Sequence, residues 1–198
     1  MAAPLLAVST PVSSSKLVLR RDARARRDAM SPGDRADASA RISTVATATL
    51  LARVPAGGVV AVYAAKASEV DLAALDAALR AAGRRVAYPR VVADGRPLGF
   101  AEATLGELVA APLGLREPAA GAAAVALVEL AAVVVPGVAF DRAGHRLGYG
   151  RGHYDATLAA VPTAYTLGVA FDCQIVAPLD AEPHDIAVHA VITESGVL

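Results

Sequence analysis

The residues between Val133 and Asp155, VVVPGVAFDRAGHRLGYGRGHYD, carry the side chains that chemistry on a phosphate needs. Gly148, Gly150 and Gly152 sit at alternate positions, with Asp141, Arg146 and Arg151 gathered around them. Without a Cβ, glycine adopts backbone angles that other residues avoid and lets an anion approach the main chain, where successive N–H groups form anion-binding hollows. The two guanidinium groups add fixed positive charge and donors matched to phosphate oxygens. A helix expected to begin at about Gly152 to Tyr154 points its N-terminal dipole at the same place. Asp155 puts a carboxylate nearby for a metal ion. The third glycine comes too early for the dinucleotide pattern GxGxxG, and no Gly-Lys-Ser/Thr follows as in a P-loop. On spacing alone, both a phosphate cradle and a glycine-rich strand-to-helix turn with arginines on a wet surface remain open.

The elements that must position this loop follow from the pattern around it. Leu130 to Val135 is an apolar run that predicts a buried strand entering the loop, and His153 to Ala160 the helix leaving it. Upstream, Ser15 is placed to cap a helix from Lys16 to about Ala29, in which Lys16, Arg20, Arg24 and Arg27 share one face. That face reads either as a solvated basic stripe or as one that closes over an anion. Ser31-Pro32-Gly33-Asp34 has the form of a helix start, with a capping serine, an early proline and an acid three residues on, and the helix runs to about Arg53. Val59 to Ala65 predicts a strand, followed by a loop holding Glu69, and Asp71 to Ala82 a helix ended by Gly83. Further strands are expected at Val86 to Tyr88, stopped by Pro89, and at Leu98 to Glu102, Thr163 to Ala170 and Val188 to Thr193. Pro112 to Pro118 reads as an ordered loop and Pro178 to Asp185 as a polar one. Strands alternating with helices indicate an α/β fold, a three-layer domain with a mostly parallel sheet flanked by helices. Ligands of such sheets gather beyond the carboxyl ends of the strands. The Glu69 loop, the Pro89-Arg90 turn, the glycine loop and the Asp172 region are therefore expected to meet at one edge.

Composition excludes several classes of function. The chain has 198 residues and a formal net charge of zero, which gives no support to binding nucleic acid or an acidic membrane. Tryptophan is absent, so a platform for stacking bases is not expected. Ala119 to Phe140 imitates a membrane span, but Pro136-Gly137 interrupts it and Glu129 would cost roughly 2.5–3.5 kcal/mol near a span centre. A covered sheet gives the same hydropathy. Met1 to Ser15 lacks a basic region ahead of its apolar patch and reads as a flexible lead-in rather than a secretory signal, leaving residues 16–198 as one domain. The lone Cys173 can form neither an intramolecular disulfide nor a cysteine metal cluster. A cytoplasmic, reducing location is expected, with no membrane, nucleic-acid or obligate protein partner.

The run PGVAFDRAGHRLGYGRGHYD resembles the signature of the 5-formyltetrahydrofolate cyclo-ligase family, also called 5,10-methenyltetrahydrofolate synthetases. Lys16 to Arg20 is similar to that family's Lys-x-x-x-Arg element, and Tyr63 with Ser68-Glu69-Val70-Asp71 to its strand-plus-glutamate element. Tyr88-Pro89-Arg90 and Pro112 to Pro118 resemble two further segments, and Pro183-His184-Asp185 with Ala190 to Glu194 its C-terminal end. The elements keep the family's order from about Lys16 to Glu194. The resemblance implies a Rossmann-like fold and an enzyme that uses ATP and Mg²⁺ to turn 5-formyltetrahydrofolate into 5,10-methenyltetrahydrofolate, releasing ADP and phosphate.

Carried over residue by residue, the resemblance implies that Lys16, Arg20, Arg146, Gly148, Gly150, Arg151, Gly152 and Tyr154 bind ATP, with Arg151 the cation on the transferring phosphoryl group. It implies Mg²⁺-associated roles for Asp155 and Asp185, against a helix first-turn acid and a plain loop acid as the competing readings. Glu69 would accept from the N–H donors of the pterin ring, with Tyr149 and His153 lining the folate pocket. Tyr63 and Arg90 are further candidates, with plain core and a surface cation as their alternatives. Arg24 and Arg27 keep the reading of a solvated face. The chain departs from the family pattern at His153, where tyrosine or phenylalanine is common, at Arg151, where lysine is common, and at His189, which receives no role. A folate-holding protein without chemistry and a sugar-phosphate isomerase on a similar scaffold are the rival functions.

Overall fold

The computed structural model describes residues 12–93, 96–182 and 185–198. Pro183 and His184 of the C-terminal element, and the first eleven residues of the lead-in, lie outside them. Eight strands form the main sheet in the order β6 (Ala124–Val125), β3 (Gly99–Glu102), β2 (Arg85–Arg90), β1 (Val59–Ala61), β7 (Leu130–Val135), β10 (Tyr165–Val169), β11 (Ala190–Thr193) and β12 (Gly196–Val197). The five strands from β2 to β11 are mutually parallel, and β6, β3 and β12 are antiparallel to their neighbours. The predicted α/β class therefore holds, with antiparallel strands at both edges.

The chain leaves β1 toward β2 on one side and leaves β7 toward β10 and β11 on the other. The crossovers thus diverge between β1 and β7, and a crevice opens beyond their carboxyl ends. Alternating residues of the central strands face opposite layers. Val60, Ala132, Val134, Leu167 and Val169 pack beneath α2 (Pro32–Leu51) and α3 (Ala73–Ala81), against Ile42, Leu50, Leu75 and Leu79. Val59, Ala61, Val133 and Val135 face the other way, toward Leu158 of α4 (His153–Ala160) and Phe140. Burial on both faces explains why these strands read as unbroken apolar runs.

Local signals account for most boundaries. Ser31 caps α2 by accepting from the Asp34 N–H at 3.1 Å. Gly83, at φ +74°, ends α3: its N–H bonds the Arg80 carbonyl and the Arg84 N–H the Leu79 carbonyl, the paired bonds of a Schellman motif. Other expectations need correction. Helix α1 (Val12–Asp28) is already formed at Val12, so Ser15 lies inside it and does not cap it. Pro89 does not stop β2 but sits within it, opposite Phe100 and beyond the last residue paired with β1, where no ladder on that side needs its missing N–H. Pro112 to Pro118 is half turn and half strand: β5 (Leu115–Pro118) pairs with β4 (Leu108–Ala111) as a separate ribbon. The segment that imitated a membrane span is β6, a turn, β7 and β8 (Ala139–Phe140). Among the described residues no helix is long and apolar enough to cross a membrane.

The glycine loop is attached to this frame by a wedge. β8 pairs with β9 (Arg146–Leu147) in a short hairpin that projects from the end of β7. The fully buried Phe140 ring lies between two glycines: a Cβ at Gly137 would fall 2.5 Å from the ring and one at Gly168 2.7 Å. Gln174, also buried, donates to the Gly137 and Val138 carbonyls at 2.9 and 3.0 Å. Because the ring is enclosed, a methyl group at Gly168 must displace it and the hairpin with it. Gly168→Ala should lower stability by about 1–3 kcal/mol through overpacking. The check is a lower urea midpoint at unchanged denaturant slope.

Candidate functional site

A cavity of about 470 Å³ occupies the crevice between β1 and β7. Its floor comes from strand ends, with Tyr63 and Ala64 after β1, Pro89 and Val91 at the end of β2, and Pro136 after β7. The glycine loop, Arg146 to Asp155, forms one wall, and Lys16, Leu19 and Arg20 of α1 another. Fourteen of the fifteen residues named above for nucleotide, folate and metal line this one cavity. Arg90 does not: its guanidinium donates to the carbonyls of Pro118 and Ala119 and ties β2 to the end of β5. The Asp172 turn also stays outside. It supports α1 instead, accepting from Arg26 Nε at the Cys173 carbonyl, 2.8 Å. Cys173 is half-buried, and burial pushes its thiol pKa up, which suits no nucleophile. His189 has a structural role, taking the Thr166 N–H at Nδ1 (3.0 Å).

The loop owes its shape to two left-handed glycines, Gly150 at φ +86° and Gly152 at φ +69°, the latter the N-cap of α4. Arg20 Nε donates to the Gly148 carbonyl at 2.8 Å, so α1 holds the loop across 128 residues of sequence. Below it, the buried carboxylate of Asp141 accepts from the N–H groups of Ala143 and His145 at 2.9 Å, from Leu179 N–H at 3.0 Å, and lies 3.2 Å from His145 Nδ1. Asp141 therefore joins the β8–β9 turn to the loop at Pro178 to Asp180, the cavity's third wall. Burial alone would raise its pKa, but the donors from Leu179 and His145 outweigh this and hold it below the ordinary 3.8.

Charge in the cavity is organised in pairs. Arg146 Nη2 donates to Asp155 Oδ1 at 2.5 Å, and its guanidinium lies 5.8 Å from the ring centre of Tyr154. Lys16 Nζ is 2.6 Å from Glu182 and 3.6 Å from Asp185. The hydrogen bond to Glu182, opposed by some burial and helped by the Asp185 charge, raises the lysine's pKa. Glu69 Oε2 accepts from Lys66 N–H at 3.0 Å and Oε1 from the Tyr149 hydroxyl at 2.8 Å. Tyr149, Tyr154 and Tyr63 all have raised pKa values, through burial first and the nearby Glu69 charge second. They stay protonated at neutral pH. The Tyr63 hydroxyl is already committed to the Val70 carbonyl at 3.1 Å, so Tyr63 is core with one edge on the cavity. Arg151 is exposed at the cavity mouth, and His153 is half-buried with Nδ1 3.4 Å from the Arg96 carbonyl.

One reading from the helical face is overturned. Arg27 is not solvated: it is 2 % exposed and its Nε donates to Ser68 Oγ at 3.0 Å. Arg24 keeps the solvated reading, pairing at the surface with Asp28 at 3.5 Å. Positions 16, 20, 23 and 27 follow one stripe, and Ala23 on it is fully buried. The small residue between charges was the available signal that this stripe faces inward. His145 and Lys66 also line the cavity, and no spacing pointed to them.

The family model for 5-formyltetrahydrofolate cyclo-ligases matches residues 12–194. The chain belongs to that family. The 5-formyltetrahydrofolate cyclo-ligase of Mycolicibacterium smegmatis is 38% identical over 143 residues, covering 69% of this chain and 74% of that protein. The Escherichia coli K12 protein of the same name is also 38% identical over 143 residues, covering 70% and 79%. Among solved structures, the Aquifex aeolicus 5,10-methenyltetrahydrofolate synthetase superposes with a TM-score of 0.74 at 28% identity, over 92% of this chain and 91% of that one. The Mycoplasma pneumoniae synthetase gives 0.74 at 22% identity, over 90% and 98%, a likeness of fold. This cyclo-ligase family member thus has its family's α/β frame, and the cavity lies where that frame opens.

The donor set bears on whether a cation fits. Among the described residues no group of three or more His, Cys, Asp or Glu could hold a metal by itself. Asp155 and Asp185 nevertheless both face the cavity as partly exposed carboxylates. Mg²⁺ commonly binds through one or two carboxylates together with substrate phosphates, not in an all-protein cage. The residues fit a Mg²⁺ that arrives on a nucleotide.

Asp141 provides a test of how the walls are joined. In Asp141→Asn the amide nitrogen faces N–H donors it cannot accept from, so the variant should lose about 1–3 kcal/mol at pH 7. The lowered carboxylate pKa contributes stability that is present above 3.8 and lost as pH falls through the folded-state value. The gap between wild type and variant should therefore be full at pH 7 and narrow as pH falls below about 4. Urea unfolding at a series of pH values measures it, and a gap independent of pH would contradict the assignment.

Proposed function

We propose that this chain converts 5-formyltetrahydrofolate and ATP into 5,10-methenyltetrahydrofolate, ADP and phosphate, with both substrates side by side in the cavity between β1 and β7. The observation that carries the reading is the continuity of that cavity. The cationic glycine loop and α1 share it with the Glu69–Tyr149 pair, within hydrogen-bond contact of one another. A folate-holding protein without chemistry has no use for Lys16, Arg20, Arg146 and Arg151 around one cavity.

The formyl oxygen is a poor leaving group as oxide or hydroxide. Transfer of the γ-phosphoryl group to it breaks the bond to the ADP oxygen and turns it into a phosphate ester. N10 then attacks the formyl carbon, a C–N bond forms, the C–O bond breaks, phosphate departs and the N10 proton is released. The protein's work is placement and charge stabilisation. Lys16, Arg20 and Arg146 with the loop amides hold the triphosphate. Arg151 stands at the mouth as the cation for charge that develops on the transferring group. Glu69, fixed at both oxygens by Lys66 N–H and Tyr149, presents its remaining lone pairs to the paired donors of the pterin. Tyr149 and His153 border the folate, with Tyr63 behind them. Asp155 and Asp185 are the carboxylates for Mg²⁺, which when bound neutralises phosphate charge.

Purified protein with 5-formyltetrahydrofolate and MgATP should develop the near-ultraviolet absorbance of the methenyl product, with one ADP formed per product. Folate binding with neither product nor ADP would refute the activity. Arg151→Ala should lower kcat by roughly 100-fold or more, on the scale of losing one preorganised donor to a transition state, while folate KM changes much less. Equal losses in kcat and in folate affinity would remove Arg151 from the transfer step.

A further inference from the structure

Arg27 is the largest side chain in the fully buried set, and it carries a full charge. A buried cation is tolerated only where its charge is offset and its donors are used. Among the described residues, no carboxylate oxygen lies within ion-pair distance of it. Its bonds go to two hydroxyls: Nε to Ser68 Oγ at 3.0 Å, and Nη2 to the Tyr149 oxygen at 3.4 Å, a long contact. Each hydroxyl then donates onward to a carboxylate. Ser68 donates to Asp28 Oδ1, and Tyr149 donates to Glu69 Oε1 at 2.8 Å. A hydroxyl has one proton, so an N–H from Arg27 occupying a lone pair directs that proton toward the carboxylate. One buried cation is thus shared between two carboxylates through two hydroxyl relays, and one of those carboxylates borders the cavity.

We propose that Arg27 is a positioning residue for Glu69, acting through Tyr149. Arg27 fixes the Tyr149 hydroxyl, and with it the Glu69 rotamer that faces the folate. Tyr149 lies between Gly148 and Gly150, and Arg20 on the same helix grips the Gly148 carbonyl. Helix α1 therefore holds the loop at a backbone atom near the phosphate side and at a side chain near the folate side. The assignment rests on Glu69 being the folate carboxylate, and its test keeps the two claims apart.

Steady-state kinetics of Arg27→Gln, Tyr149→Phe, the double variant and Glu69→Gln, each with both substrates varied, provide that test. If the inference holds, Arg27→Gln raises folate KM about tenfold while ATP KM stays within about twofold, and the double variant is no worse than the poorer single one. A role confined to stability would instead leave both KM values unchanged or raise them together, and would add to the Tyr149→Phe effect. Either result overturns the proposal. If Arg27→Gln does not fold, Arg27→Lys takes its place: it keeps the charge but cannot fork to both hydroxyls, and the same cycle with Tyr149→Phe decides. If Glu69→Gln leaves folate KM unchanged, the folate role of Glu69 itself falls. If Glu69→Gln raises folate KM and Arg27→Gln does not, only the role of Arg27 falls.

Discussion

The divergence of the crossovers between β1 and β7 is the constraint on which the rest of the site depends. Parallel strands deliver their following loops to one edge of a sheet. If successive crossovers all went the same way, those loops would close over one another. Here the chain turns toward β2 after β1 and toward β10 after β7, so the loops part and leave a crevice. The Glu69 loop issues from one side of that gap and the glycine loop from the other. The bond between the Tyr149 hydroxyl and Glu69 spans it at 2.8 Å. Two segments 80 residues apart in the chain become neighbours through topology, not through any local preference.

Helix α1 completes the site from outside the sheet. It contributes no strand and packs through Ala23 against Val138, Ala139 and Leu147, the base of the β8–β9 hairpin. Its inward stripe delivers Lys16 and Arg20 to the cavity wall and Arg27 to the hydroxyls of Ser68 and Tyr149. The hairpin is itself fixed by the Phe140 ring between Gly137 and Gly168 and by Asp141, which is held by Ala143 and His145 in the hairpin turn and accepts from Leu179 N–H in the neighbouring loop. The glycine loop thus combines a flexible composition with a rigid setting, as its proposed role in stabilising a transferring phosphoryl group would require.

Much of this was legible in the residues. The run from Leu130 to Val135 and the helix from His153 to Ala160 appear as their apolar pattern and flanking glycines predict. The Ser31 cap and the Gly83 stop follow local rules that need no tertiary information. The cavity-lining set was reached through resemblance to a family, and spacing alone left the glycine loop ambiguous. The short pairs β6, β8, β9 and β12 were invisible because two-residue strands have no period to detect. Pro89 misled because a proline ends a strand only where its missing N–H is needed, and here the neighbouring ladder has already finished. Arg27 misled for a related reason. Charge on a helix predicts solvent by default, and only Ser68 and Tyr149, 41 and 122 residues away, make its burial tolerable.

The pairing of charges in the cavity bears on how such a site handles a highly charged substrate. Arg146 is matched to Asp155, and Lys16 to Glu182 and Asp185, so each of these two cations has an opposite charge beside it before anything binds. An isolated cluster of cations there would repel itself, and an isolated cluster of carboxylates would repel the nucleotide. With MgATP as the proposed substrate, entry is an exchange of partners. On that proposal, phosphate oxygens would replace carboxylates on Lys16 and Arg146, and the carboxylates would become available to the accompanying cation. Each charge would leave one opposite charge for another in the same partly exposed place, so no ion would lose water without compensation. The same logic makes a preformed three-carboxylate cage unnecessary. Two aspartates would suffice for the proposed Mg²⁺ because the triphosphate would bring the remaining oxygens with it.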